Sequence, residues 1–256
     1  MSRVLITGAS RGIGRATAMA LAAQGHEVIA TARDASTLED IPAVQRLSLD
    51  VTDQYSVDAA VAEAGRVDVL VSNAGATVRA PLETVPLDAV RNLFELNTLG
   101  ALRVAQGVLP GMRIQGSGQV LFISSIQGRL VIPLVGPYGA SKWALEALAE
   151  TLAIETRHFG ISVHVLQPGA VATSGAAGAQ VLLEDSNPYR PLLDALPAFR
   201  SAPITAEEVA DAVAATVEQG VTAAFRIPVG ESARAVLEAR KAAPEDSPFV
   251  AAPLNW

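Results

Sequence analysis

Tyr138 and Lys142 stand four residues apart in Tyr138-Gly139-Ala140-Ser141-Lys142, just after Pro137. A proline suits the start of a helix, and the apolar positions Trp143, Leu145, Leu148, Leu152 and Ile154 continue a helical pattern. At this spacing both side chains lie on one helix face. An ammonium beside a phenol favours the phenolate and brings the proton closer to exchange at working pH. The pair therefore reads as a proton donor with its tuner. The plainer alternative is a surface tyrosine above a helical lysine, and the rest of the chain decides between them.

A second stretch suits phosphate. Gly8-Ala9-Ser10-Arg11-Gly12-Ile13-Gly14 follows the short apolar run Arg3-Val4-Leu5-Ile6-Thr7 and precedes an Ala-rich helix that ends at Gly25. Glycines let backbone approach a pyrophosphate, and a helix start offers free N–H groups and the positive end of its dipole. The spacing is GxxxGxG, so the dinucleotide fingerprint GxGxxG is met in mechanism rather than in letter. An ordinary tight strand-to-helix turn is the alternative.

The elements that position these residues alternate. Strands are expected at Arg3–Thr7, Glu27–Thr31, Val44–Leu49, Val67–Val71, Gln119–Ile123, Ser162–Leu166 and Phe225–Val229. A long helix is expected over Leu87–Leu109, with Asn97 in its interior. Such alternation predicts an α/β fold: one domain over residues 1–256, with a doubly wound Rossmann-type parallel sheet of about seven strands flanked by helices. The candidate residues fall at the carboxyl ends of strands, where open α/β sheets bind ligands. These include Asp50-Val51, Ser72-Asn73-Ala74-Gly75, Ser124-Ser125 and Gln167-Pro168-Gly169. Ser174 to Pro203 breaks the rhythm and reads as a lid or binding loop. Thr205-Ala206-Glu207-Glu208 is a capping box for the next helix.

Composition excludes several classes. The formal charge is -7, the pI is near 5.0, and basic residues are scattered, which argues against nucleic acid and anionic membrane as partners. The chain has no cysteine, and its three histidines (His26, His158, His164) lack ligand spacing, so no metal site is expected. No apolar run reaches membrane-spanning length and the first strand begins almost at once, so a cytoplasmic protein is expected.

With these residues in view, the chain resembles the short-chain dehydrogenase/reductase family. The stretch after Tyr138 is similar to the branch containing 17β-hydroxysteroid dehydrogenases. Thr7 to Gly14 looks like the family's cofactor turn, Asn73-Ala74-Gly75 like its motif after the fourth strand, and Pro168-Gly169 with Thr173 like its motif beside the nicotinamide. Asn97, Ser125, Tyr138 and Lys142 match its catalytic tetrad. Ser124 competes with Ser125, and the family's spacing of thirteen residues before the tyrosine selects Ser125. The resemblance implies that Tyr138 exchanges a proton with the substrate oxygen and that Ser125 hydrogen-bonds it. It also implies that Lys142 lowers the pKa of Tyr138 and bonds the nicotinamide ribose, and that Asn97 holds a water linked to Lys142. The cofactor-binding set it implies is Gly8, Ser10, Arg11, Gly12, Ile13, Gly14, Arg33, Asp50, Val51, Asn73, Ala74, Gly75, Tyr138, Lys142, Pro168, Gly169, Val171 and Thr173.

The expected function is an oxidoreductase acting on a small-molecule alcohol/carbonyl pair. A cofactor-binding redox sensor without turnover is the competing class, since fold alone does not exclude it. The second strand ends Ala30-Thr31-Ala32 without an acid, and Arg33 and Arg11 suit a 2′-phosphate, so NADP(H) is expected over NAD(H). Asp34 is read as a turn or cap residue facing away. The expected substrate walls are the 174–203 insertion with Ile126, Leu130, Val131, Ile132, Leu134 and Val135. They predict an apolar substrate, unless Arg79, Arg129 or Arg190 points inward. Small residues on the two central helices predict a homodimer or homotetramer.

Overall fold

A computed structural model describes residues 1–172, 180–195 and 203–249. Thr173, residues 174–179 and 196–202 of the expected insertion and the apolar end Leu254-Asn255-Trp256 lie outside the described residues.

The first half alternates β1 (Arg3–Ile6), α1 (Gly12–Ala23), β2 (Glu27–Ala32), β3 (Gln45–Ser48), α2 (Gln54–Ala64) and β4 (Val69–Ser72). A two-residue strand, β5 (Val78–Arg79), follows. The expected long helix is α3 (Leu87–Phe94), a π turn (Glu95–Leu99) and α4 (Gly100–Gln115) in succession. It ends at Gly116, whose left-handed φ of 68° closes the last turn. Then come β6 (Gly118–Ile123), α5 (Gly136–Thr156) and β7 (Ile161–Pro168). The last elements are β8 (Gln180–Val181), α6 (Arg190–Ala195), α7 (Ala206–Gln219), β9 (Arg226–Val229) and α8 (Glu231–Ala242).

Seven strands form one parallel sheet in the order β3-β2-β1-β4-β6-β7-β9. Successive residues of a strand face opposite sides, so each strand feeds two cores. Leu5, Leu70, Val120, Phe122, Val163 and Val165 pack with Val57 of α2, Val104 of α4 and Leu145 of α5. Val4, Ile6, Val69, Val71, Leu121 and Ile123 pack on the other side with Ala18 and Leu21 of α1 and Val209 and Val213 of α7. Each buried side chain of this size contributes about 1.5–3 kcal/mol, and a one-residue slip would turn every one of them to the wrong face.

Two local signals behave as expected. Pro137 sits in the first turn of α5. The Thr205 hydroxyl accepts from the Glu208 amide at 3.1 Å while the Glu208 carboxylate accepts from the Thr205 amide at 2.7 Å, a closed capping box. One element is unforeseen. β5 and β8 pair in parallel as a separate small sheet, and Leu182 N donates to Arg79 O at 2.8 Å, so the insertion after β7 is pinned to the loop after β4. No helix among the described residues is long and apolar enough to cross a membrane.

Candidate active site

A cleft of about 850 Å³ opens at the carboxyl ends of the central strands. Its floor is the glycine turn. Gly8 and Gly12 have positive φ (67° and 55°), which side-chain-bearing residues rarely adopt. Gly14 does a different job. A Cβ there would lie 2.3 Å from Gly8 O and 2.5 Å from Asn73 Nδ2, so only glycine lets α1 start this close to the turn. Gly14 is buried under the cleft and does not line it, whereas Gly8, Ser10, Arg11, Gly12 and Ile13 do.

Asn73 stitches the turn to β4. Its Nδ2 donates to Thr7 O (3.0 Å) and Gly8 O (3.2 Å), while Thr7 Oγ1 accepts from the amides of Asn73 (2.9 Å) and Ala74 (3.0 Å). Ala74 and Gly75 continue the cleft wall. Arg33, Asp50 and Val51 line the same cleft. Asp50 is also a turn residue: its carboxylate accepts from the Thr52 amide (2.9 Å) and hydroxyl (2.7 Å), which holds it below the usual carboxylate range. Asp34 caps the turn after β2, accepting from the amide and hydroxyl of Ser36, so its charge is spent locally. Neither Arg11 nor Arg33 makes a side-chain hydrogen bond or ion pair with the described residues. Pro168, Gly169 and Val171 line the far wall.

Ser125, Tyr138 and Lys142 meet on that cleft. Burial pushes the Tyr138 hydroxyl above its ordinary value, and a hydrogen bond with Ser125 pulls it partly back. The two serines separate. Ser124 Oγ is turned away and donates to Glu146 at 2.8 Å, whereas Ser125 reaches Tyr138. Lys142 differs from expectation. Its Nζ donates to Ile123 O at 2.9 Å and lies 5.8 Å from the centre of the Tyr138 ring. Burial lowers the lysine to about 8, against the opposing pull of Glu146. Burial and the Ser125 hydrogen bond are the two influences that shift Tyr138.

Asn97 is 1% exposed and sits in the π turn. Its Oδ1 accepts from Ala76 N (2.9 Å), and its Nδ2 donates to Ala76 O (2.9 Å) and Ser141 Oγ (3.0 Å). π turns are rare and concentrate at functional sites. Here the irregular turn aims an amide at the loop after β4, and a Cβ on Gly75 would meet both Asn97 Oδ1 (3.1 Å) and Lys142 Nζ (3.8 Å).

The substrate end is more polar than expected. Of the six apolar wall candidates after β6, Val135 lines the cleft. Leu130 is buried at 1% exposure and Val131 is 57% exposed. Thr77, Asn92, Glu95 and Gln127 line it as well, none of them singled out by sequence, and so does Arg79, one of the three arginines the sequence left open. Arg79 therefore points inward. Arg129 stacks 5.5 Å over Trp143, and Arg190 pairs with Asp185 at 2.5 Å.

A family model described as short chain dehydrogenase matches residues 2–180. The chain belongs to the short-chain dehydrogenase family. Among curated relatives, the 17-beta-hydroxysteroid dehydrogenase type 1 of Homo sapiens is 41% identical over 188 residues, which are 67% of this chain. The chain spans 57% of the length of that protein. A short-chain dehydrogenase from Streptomyces avermitilis is 35% identical with a TM-score of 0.85, covering 94% of this chain and 92% of that one. A short chain dehydrogenase from Burkholderia cenocepacia J2315, solved in complex with NADP, is 26% identical with a TM-score of 0.79, covering 94% and 93%.

Proposed function

We propose that this short-chain dehydrogenase is an NADP(H)-dependent oxidoreductase acting on alcohols or ketones with an apolar body. We read it as a single cytoplasmic domain carrying both cofactor and catalytic residues. The observation that carries the reading is the meeting of Ser125, Tyr138 and Lys142 on the cleft that the glycine turn floors. The turn suits a dinucleotide. Its glycines bring backbone N–H groups to the helix start, and no acid side chain stands in it.

When bound, the nicotinamide supplies or accepts the hydride. The chain's own residues manage charge and protons. Tyr138 is held in its protonated form by burial, so it gives its proton to the substrate oxygen in reduction. In oxidation the same oxygen takes the alcohol's proton once its own has left, so that direction needs the phenolate that burial disfavours. Ser125 donates a hydrogen bond to the substrate oxygen, where negative charge develops. Lys142 is the fixed positive charge beside them, and Asn97 holds the loop that Lys142 packs against.

Arg79 favours a second reading of the substrate. It lines the cleft, and its guanidinium makes no ion pair with the described residues. An apolar substrate that carries an anionic group would pair with it. The test is a panel followed at the nicotinamide absorbance with each cofactor. It contains apolar ketones and alcohols with and without a carboxylate, hexoses and short hydroxy acids. Apolar compounds are expected to turn over fastest, and a carboxylate bearer faster than its neutral analogue supports the second reading. A hexose or short hydroxy acid that outruns every apolar compound overturns the substrate class, and no turnover with any of them favours the sensor.

We also propose a homodimer or homotetramer. The apolar side chains that α4 and α5 leave exposed, Ile114 (86%), Ile154 (74%) and Trp143 (38%), support it. The small residues of α4 and α5 support it less, because Ala101, Ala105 and Ala149 are buried in the chain's own core. Light scattering at micromolar concentration should give at least twice the chain mass of 26.5 kDa, and a monomeric mass rules this out.

A further inference from the structure

Helix α5 carries a second buried charge, one turn beyond Lys142. Glu146 is 1% exposed and is held from four elements. Ser124 Oγ, at the end of β6, donates to its Oε1 at 2.8 Å. Gln167 Nε2, at the end of β7, donates to both oxygens at 2.9 and 3.0 Å. Arg226 Nε, on β9, donates to its Oε2 at 3.0 Å. Gly128 presses on it from the loop after β6, where a Cβ would stand 2.2 Å from Oε1. A carboxylate taken out of water costs heavily unless its lone pairs and charge are met, and here each oxygen has two donors. Arg226 passes its remaining charge outward to Glu150 at 2.7 Å.

We propose that Glu146 is a positioning residue: anchored by Arg226, its carboxylate keeps the neighbouring Lys142 ammonium charged and fixes Ser124 so that Ser125 faces the cleft. The spacing of four residues along α5 places the two side chains on one face. Burial works against the ammonium and lowers Lys142 to about 8, and Glu146 is the charge that opposes this. The remaining neighbours of Lys142 do not replace it. Tyr138 is uncharged, Asn97 and Ser141 are neutral, and Glu95 on the π turn is committed to Arg103 at 2.6 Å. Glu150 lies on the outer side of Arg226, and Arg129 acts on Glu150 from further out. If Glu146 only neutralised Arg226, substitution of either partner would loosen the fold without moving Lys142 in opposite directions.

This inference rests on Lys142 belonging to the site, and its test needs no turnover. The chain has two lysines, Lys142 and Lys241. Isotope-labelled lysine therefore gives two side-chain NMR signals in the full-length protein. Lys241, with its side chain 72% exposed on α8, serves as the reference. Lys142 is expected to titrate near about 8. Glu146→Gln removes the attracting charge, so the Lys142 midpoint should fall by about one pH unit or more. Arg226→Met removes the opposing cation and leaves Glu146 held by Ser124 and Gln167, so the midpoint should rise, by less than the fall on Glu146→Gln. Opposite shifts support the proposal, while shifts of one sign or no shift overturn it. If Glu146→Gln does not fold, Arg226→Met decides alone: a rise supports the proposal, and an unchanged or lowered midpoint overturns it.

Discussion

Tyr138→Phe should lower turnover by about 10²–10⁴-fold, the usual span of general acid–base catalysis, while cofactor affinity stays near its starting value. The substitution removes one oxygen from a half-buried ring and leaves the ring's packing in place. The hydroxyl it removes faces Ser125 and the cleft, so the substrate oxygen loses its proton partner and little else changes. Lys142→Ala should damage both turnover and cofactor binding, because it removes the charge between the tyrosine ring and the Ile123 carbonyl. Steady-state kinetics on the fastest substrate of the panel, with cofactor binding by calorimetry, separates the two effects. Near-normal turnover by the Tyr138→Phe protein would show that another group handles the proton.

Arg33→Ala should weaken NADPH by about tenfold or more and leave NADH nearly unchanged. A charge-assisted hydrogen bond contributes about 1.5–3 kcal/mol, and each 1.4 kcal/mol is tenfold in affinity. Three observations favour the arginine as a phosphate partner. It lines the cleft, it makes no ion pair with the described residues, and the one acid beside it in sequence, Asp34, is engaged by Ser36. Asp50 is the opposing term, since Arg33 helps hold that carboxyl low from across the cleft. Calorimetry at matched salt decides the matter, and equal or tighter binding of NADH by the unmodified protein would reverse the cofactor preference.

Much of the fold was readable because parallel strands buried on both faces leave plain apolar runs between glycine-rich turns. The strand ends were readable for the same reason: Asp50, Ser72, Ser124 and Gln167 are the first polar residues after each run, with Asn73, Ser125 and Pro168 one position further on. Asn97 was visible only as a misfit, since asparagine is a poor helix former. Its explanation needed the π turn, which inserts one residue without any glycine or proline to announce it. The β5–β8 ladder was hidden because two residues per strand are too few to show a period. The polar substrate wall was hidden too, since Thr77 lies before β5 while Asn92 and Glu95 lie one turn apart where α3 runs into the π turn, and the two places meet only in space. Glu146 did leave a sign: it is a charge four residues beyond Lys142 in the Ala- and Leu-rich stretch of α5.

The clasp between Glu146 and Arg226 also has a meaning for the order in which the protein is made. Arg226 lies on β9, one edge strand of the sheet and the last strand in chain order among the described residues. Until it arrives, Glu146 would be a buried charge lacking its counter-ion, a state that costs about 3–5 kcal/mol. The nascent chain can thus assemble its glycine turn and most of its sheet early, yet the layer behind Ser125 and Lys142 closes only when the final strand docks. Catalytic competence would then be acquired late in synthesis, and a chain halted before residue 226 would have its phosphate cradle but not a finished proton site.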